Sequence, residues 1–305
     1  MGPERTIRPR SPKRWATDIS AVLNVARGLD HFPIPVIEVA FDLSRNLFPD
    51  DSLSLIQGEN LPGFDGALLP APVGKKGWGI FYNDHITSTG RINFTLAHEF
   101  GHYLIHRFSY PDGIQCSQQD FLQWERAYKA VENEANTFAA YLLMPLDDFR
   151  RQLDPRTVGT FDALSHCANR YQVSLIAATL RWLVYTERRA VLVLSRDGYI
   201  VWARSSEAAY RSGIYIKTAG RTVAVPNSAV AARPEAFANA RSGVAHPAGV
   251  WFSEPCQEMA VMSESYDFTL SLIQLQPSSG RGNAGGGEDD ERETLSDEIR
   301  RIHGI

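Results

Sequence analysis

Apolar residues recur at helical spacing from Trp15 to Leu29, with Ile19, Val22, Leu23 and Ala26 on one stripe, and Pro33 and Pro35 end the pattern. Val36 to Leu47 predicts a second helix. Phe64 to Leu69 and Trp78 to Tyr82 predict paired strands around a loop at Pro70 to Gly77. The run around Thr95 to Arg107 is apolar nearly all round, the pattern of a buried helix. A polar loop and helix are expected over Ser109 to Gln123, overlapping the start of a long helix at Phe121 to Met144. Phe161 to Tyr185 reads as helix, turn, helix: Leu164, Ala168 and Tyr171 on the first, Val173 and Ser174 at the turn, and Ile176, Leu180 and Leu183 on the second.

From Ala190 the period falls to two. Asp197-Gly198 between apolar, β-branched runs predicts a hairpin. Further strands are expected at Gly213 to Lys217, Arg221 to Val225, Gly249 to Ser253, Glu258 to Ser263 and Thr269 to Leu275, with a helix at Asn227 to Ala240. Pro277 to Gly287 is rich in Ser and Gly, and Glu288 to Glu293 is mainly acidic, so this tail is expected to be disordered. Leu295, Ile299 and Ile302 allow it a short terminal helix. The expected class is α+β. The expected organisation is a mobile basic leader (1–14), a first domain (15–150), a helix-turn-helix-like segment (151–189), a mostly antiparallel α+β domain (190–276) and the tail (277–305).

Composition narrows the function. A chain of 305 residues with 44% hydrophobic content can bury two modest cores. A net charge of -4 supplies no general attraction to nucleic acid. The three cysteines, Cys116, Cys167 and Cys256, lie far apart without C-x-x-C spacing, which argues against a disulfide framework and for the reduced cytoplasm. Neither a membrane-length apolar stretch nor a signal-type start is evident, so a cytoplasmic protein without membrane attachment is expected. Between Ser174 and Tyr185 the only basic residue is Arg181, a poor endowment for reading bases, so DNA contact is not the expected role. The 190–276 segment carries no phosphate loop, no cluster of metal ligands and no nucleophile motif, and its expected role is binding. His246 is read there as a solvated loop residue.

The chemistry concentrates in TLAHEFGHYLIHR, Thr95 to Arg107, where His98, Glu99 and His102 form H-E-x-x-H. Positions i and i+4 share a helix face, so two imidazoles can reach one ion, with Glu99 beside it as general base for a water. Zinc is the expected ion, with manganese as the alternative. Gly101 should let another backbone or substrate come close. The third ligand is expected on the next long helix. Glu132 shares its face with Ala135, Asn136, Ala139 and Ala140, small residues that let two helices approach, and is preferred over Glu134. Asn136 either supports a ligating histidine or simply packs between helices. His106 extends the histidine spacing, but each four-residue step overshoots a turn by about 40°, which makes it a structural residue rather than a third ligand. Tyr103 and Tyr141 are candidates for stabilising an oxyanion.

Together, RINFTLAHEFGHYLIHR and, some thirty residues on, ENEANTFAAYLLMP resemble the bacterial and phage metallopeptidases of the ImmA/IrrE family over Phe64 to Pro145. The resemblance implies a zincin-like fold, a zinc-dependent endopeptidase activity, and Glu132 as third ligand. It implies as substrate a helix-turn-helix repressor of the XRE type, whose cleavage switches on stress-response or mobile-element genes. Beyond Pro145 the layout resembles the radiation-response member IrrE, which implies a GAF-like sensory domain after the helical segment. In zincin-like folds the strand before the metal helix is an exposed edge that takes substrate as an added strand, which makes Gly77 to Asn83, and Gly79 and Ile80 in particular, the expected substrate edge. A regulatory protein that binds a repressor or DNA without cutting it is the alternative.

Overall fold

The computed structural model describes residues 10–117, 125–233, 240–263 and 267–277. The described chain forms two compact units. One holds the chain up to Asp148 together with Ala168–Ser174; the other holds Phe149–Cys167 and the chain from Leu175 onward. Both mix helices and sheet, so the class is α+β.

In the first unit, α1 (Pro12–Arg27) starts where Ser11 accepts a hydrogen bond from Arg14 N, with Pro12 inside the first turn. Pro12 is a helix starter because its missing N–H is one a helix start does not use. Lys13 and Arg14 therefore belong to α1, not to a mobile leader; residues 1–9 lie outside the described chain. α2 (Val36–Leu47) follows. Then come β1 (Leu53–Glu59), β2 (Phe64–Pro70), β3 (Trp78–Asn83), α3 (Thr89–Ile105), β4 (Ile114–Ser117) and α4 (Glu125–Leu143). The strands form one sheet in the order β1-β3-β2-β4. β3 pairs parallel with β1, Ile80 opposite Ile56, and antiparallel with β2, Ile80 opposite Leu68.

This corrects the expected substrate edge. Gly79 and Ile80 lie on an interior strand whose two sides are both hydrogen-bonded, so no added strand can pair with them. The edges are β1 and β4. β4 falls where a polar loop and helix were expected, and among the described residues it pairs only with β2, Leu68 opposite Ile114. α3 lies on β2 and β3 and packs on its other side against α4.

α5 (Leu146–Gln152) starts in the first unit and runs into the second, α6 (Phe161–Tyr171) starts in the second and ends in the first, and α7 (Leu175–Leu183) is wholly in the second. α7 packs on β5 and is buried along Ile176–Leu183, Arg181 included. The two helices stand where expected, but a helix enclosed on all sides cannot enter a DNA groove. β5 (Arg189–Arg196) and β6 (Tyr199–Ser205) form the expected hairpin, with Asp197 (φ 52) and Gly198 (φ 78) both in the left-handed conformation that a two-residue turn requires. α8 (Glu207–Arg211), β7 (Val223–Ala224), β8 (Val244–His246), β9 (Cys256–Ser263) and β10 (Phe268–Leu275) complete an antiparallel sheet in the order β7-β6-β5-β10-β9-β8. β10 is buried along its whole length, and β5 at all but its last residue, so both faces of the sheet centre are covered.

Four expectations fail here. Gly213–Lys217 and Gly249–Ser253 are not strands; the second is a bent loop with Gly249 at φ 93. Of the helix expected at Asn227–Ala240, the described part is a 3-10 turn at Val230–Ala232, and 234–239 lie outside the described chain. His246 is no solvated loop residue: it is buried on β8, with Nε2 2.8 Å from Glu258 Oε2. The buried Glu258 carboxylate explains the turn as well, since it accepts Val230 N (2.9 Å) besides Trp251 Nε1 and Ser271 Oγ (both 2.8 Å).

Candidate metal centre

α3 is pinned at both ends. Ser88 caps its start, and the Arg91 guanidinium donates twice to Asp65 on β2, at 2.8 and 2.6 Å. At its end Arg107 donates to Asp51 Oδ2 at 2.8 Å, while Trp78 Nε1 of β3 reaches Asp51 Oδ1 at 2.9 Å, so one carboxylate ties the helix end to the sheet. Between these anchors Gly101 meets α4. A Cβ on it would lie 2.9 Å from Phe138 Cδ1 and 3.3 Å from Ala135 Cα. The missing side chain, together with Ala135, Ala139 and Ala140, lets the two backbones approach, as the small-residue face of α4 implies.

That approach brings His98 and His102 of α3 against Glu132 of α4. His98 Nε2 and His102 Nε2 are 2.9 Å apart, and each is 3.3 Å from a Glu132 oxygen. All three side chains are buried. Tetrahedral zinc with bonds near 2.0–2.1 Å requires donor atoms about 3.3 Å apart, so the spacing fits such an ion. The chemistry fits too. His98 Nδ1 donates to Asn136 Oδ1 at 2.7 Å, which leaves its Nε2 lone pair facing His102 and Glu132. Among the described residues this is the one such group of His, Cys, Asp or Glu side chains.

Glu99 is buried beside this cluster, and its carboxylate lies over β2: a Cβ on Gly66 would sit 2.7 Å from Glu99 Oε1 and 2.6 Å from Thr95 Cγ2. Gly66 is thus required for space, not for conformation. Sequence reasoning missed it, because only the pairing of sheet and helix shows what stands above it.

Glu134, the alternative ligand, points elsewhere. Its Oε2 is 3.0 Å from His106 Nε2, and His106 Nδ1 is 3.1 Å from His102 Nδ1. His106 caps the end of α3 and is buried; desolvation holds its pKa below the ordinary value, opposed by Glu134. It is not in the donor group, yet it touches a member of it, a contact that the i to i+4 spacing from His102 could have disclosed. Neither tyrosine suits an oxyanion role. Tyr103 is buried, donates its hydroxyl to Asp51 O at 2.8 Å, and has its pKa raised well above the ordinary value by burial. Tyr141 lies about two and a half turns of α4 beyond Glu132 and so on its opposite face, beside Lys13 Nζ, which is 5.3 Å from its ring.

The Cys116 side chain lies outside the described residues. No described helix is long and apolar enough to cross a membrane.

Residues 55–183 match the family model of the IrrE N-terminal-like domain of the M78 peptidases. No curated protein matches the chain. The match reaches beyond Phe64–Pro145 on both sides, taking in most of β1 and the helices to the end of α7. A mixed sheet carrying a buried helix with two histidines, faced by a second helix with a carboxylate, fits a zincin-like domain of that type. Residues 55–183 of this chain thus carry an IrrE N-terminal-like domain, which supports an assignment to the ImmA/IrrE family of metallopeptidases.

Proposed function

We propose that this chain is a zinc-dependent endopeptidase that cuts an XRE-type helix-turn-helix repressor at one site and so releases stress-response or mobile-element genes. The observation that carries the reading is the convergence of His98, His102 and Glu132 beside a buried Glu99, within a domain of the peptidase family. His98, His102 and Glu132 would hold the ion, and Asn136 keeps His98 oriented towards it. Bound there, zinc would supply polarisation of a carbonyl and a lowered pKa for water; manganese is the alternative ion. Glu99 takes the proton from the attacking water and returns it to the departing amine. The substrate strand runs along β4, whose outer side carries no partner strand among the described residues, rather than along Gly79 and Ile80.

The six-stranded domain of the second unit is read as a GAF-like sensory or regulatory module, since no candidate metal cluster occurs in it among the described residues. The helical segment before it is a helix-turn-helix by sequence pattern only, and serves packing or repressor docking. Cys167 and Cys256 are buried and in no disulfide, which supports a cytoplasmic location.

The test is incubation of the zinc- or manganese-loaded chain with XRE-type repressors encoded near its gene, with cuts mapped by mass spectrometry. One defined cut, lost in Glu99→Gln while that variant keeps its metal, is the expected result. Normal turnover by metal-loaded Glu99→Gln refutes the mechanism. Repressor binding without cleavage, in wild type and variant alike, would establish a non-proteolytic regulator instead.

A further inference from the structure

His98 and His102 present the same atom to the metal site but are supported differently. Behind His98 stands the amide of Asn136; behind His102 stands another imidazole, His106, and behind that the carboxylate of Glu134. Two ring nitrogens 3.1 Å apart share one proton. If His102 is to offer a lone pair at Nε2, its Nδ1 must be the donor and His106 Nδ1 the acceptor. His106 then carries its own proton on Nε2, pointing at Glu134 Oε2, 3.0 Å away. Each contact has one donor and one acceptor, and both protons point away from the metal site. The chain of contacts ends at the protein surface, because Glu134 is half exposed whereas His102 and His106 are buried.

We propose that His106 and Glu134 are positioning residues for the metal: His106 fixes the ring and proton of His102, and Glu134 holds His106 in the accepting form. The anionic carboxylate strengthens the His106 N–H bond, and polarisation along the chain makes His102 Nε2 a better donor to a cation. This accounts for two acidic residues so close on α4: Glu132 faces the ion, and Glu134 stands two contacts behind it. The inference rests on the metal-site reading above, but it concerns affinity and not cleavage.

The test uses the full chain, zinc affinity from chelator competition, and the visible spectrum after cobalt substitution. His106→Leu is expected to weaken zinc binding about 10- to 100-fold, the range for loss of a supporting residue. His106→Asn, whose Oδ1 can stand in for Nδ1 as acceptor, should recover affinity to within roughly threefold of wild type. Rescue by Asn and an altered cobalt spectrum in His106→Leu distinguish support of His102 from loss of packing. Wild-type affinity and spectrum in His106→Leu overturn the proposal. If that variant does not fold, Glu134→Ala decides at a half-exposed position: a loss of roughly threefold or more is expected, and unchanged affinity overturns it. A wild-type chain that binds no zinc defeats this inference and the metal reading together. A chain that binds zinc as described and cleaves nothing defeats the peptidase reading alone.

Discussion

Replacing Gly101 by Ala sets two effects of opposite sign against each other. Alanine in a helix interior is favoured over glycine by about 1 kcal/mol, so an exposed site would gain stability. At Gly101 the new methyl would stand 2.9 Å from Phe138 Cδ1 and 3.3 Å from the Cα and O of Ala135, against the roughly 3.5–4.0 Å of a relaxed carbon contact. The Phe138 ring is buried and packed edge-on against Phe100 at 5.6 Å, so it has little room to yield. Overpacking of this kind costs about 1–3 kcal/mol, which leaves a net loss of about 0–2 kcal/mol once the helix gain is subtracted. The larger consequence is positional. Ala135 is one turn from Glu132, so parting the helices there draws the carboxylate away from His98 and His102, and zinc affinity should fall along with stability. Denaturant unfolding of the metal-free chain and chelator competition measure the two effects separately. A variant about 1 kcal/mol more stable than wild type, with zinc bound as tightly, would show that helix propensity alone governs this position and that close approach of the helices is not what the glycine provides.

Glu132→Ala should weaken zinc binding by more than the 10- to 100-fold typical of a supporting residue, and a smaller loss than in His106→Leu would remove Glu132 from the donor group. Gly66→Ala should spare the metal but displace the Glu99 carboxylate, because the added Cβ would lie 2.7 Å from its Oε1; turnover falls roughly 100-fold at unchanged zinc content, and wild-type turnover contradicts the assigned place of Glu99. In the second unit, burial first and Glu258 second push the Cys256 thiol up to about 11, so its thiolate appears only as pH approaches that value. Mass-mapped alkylation near pH 8 should be slow in the folded chain and fast in denaturant; rapid labelling of the folded chain contradicts the described core.

Local patterns were legible where the physics is local. Val36–Leu47 matches the predicted helix at both ends, and Asp197-Gly198 announces its hairpin, since both turn residues must adopt positive φ. That Glu132 rather than Glu134 would stand beside His98 and His102 was also readable, because helical periodicity places it on the face with Ala135, Asn136, Ala139 and Ala140. What failed depends on partners distant in the chain. Nothing in Gly79 or Ile80 reveals that β1 will pair beside them, since strand order is settled by the whole sheet. His246, in a stretch with Pro247 and Gly249, looks solvated until Glu258 on the neighbouring strand is placed against it. His106 lay between the two cases: its neighbour His102 is local, but its second partner, Glu134, is on another helix.

The path of the backbone between the two units bears on how such proteins can be recombined. After Asp148 the chain leaves the unit that holds His98, His102 and Glu132, returns for Ala168–Ser174, and leaves again, with α6 supplying residues to both. A gene fragment stopping at 183, where the family match stops, would keep α7 without β5 and turn the apolar row from Ile176 to Leu183, Trp182 included, towards water. Shuffling the C-terminal half between relatives therefore requires carrying 149–167 and 175–183 along while leaving 168–174 behind. No single crossover in the gene can do that, so the two halves are expected to be inherited as a pair.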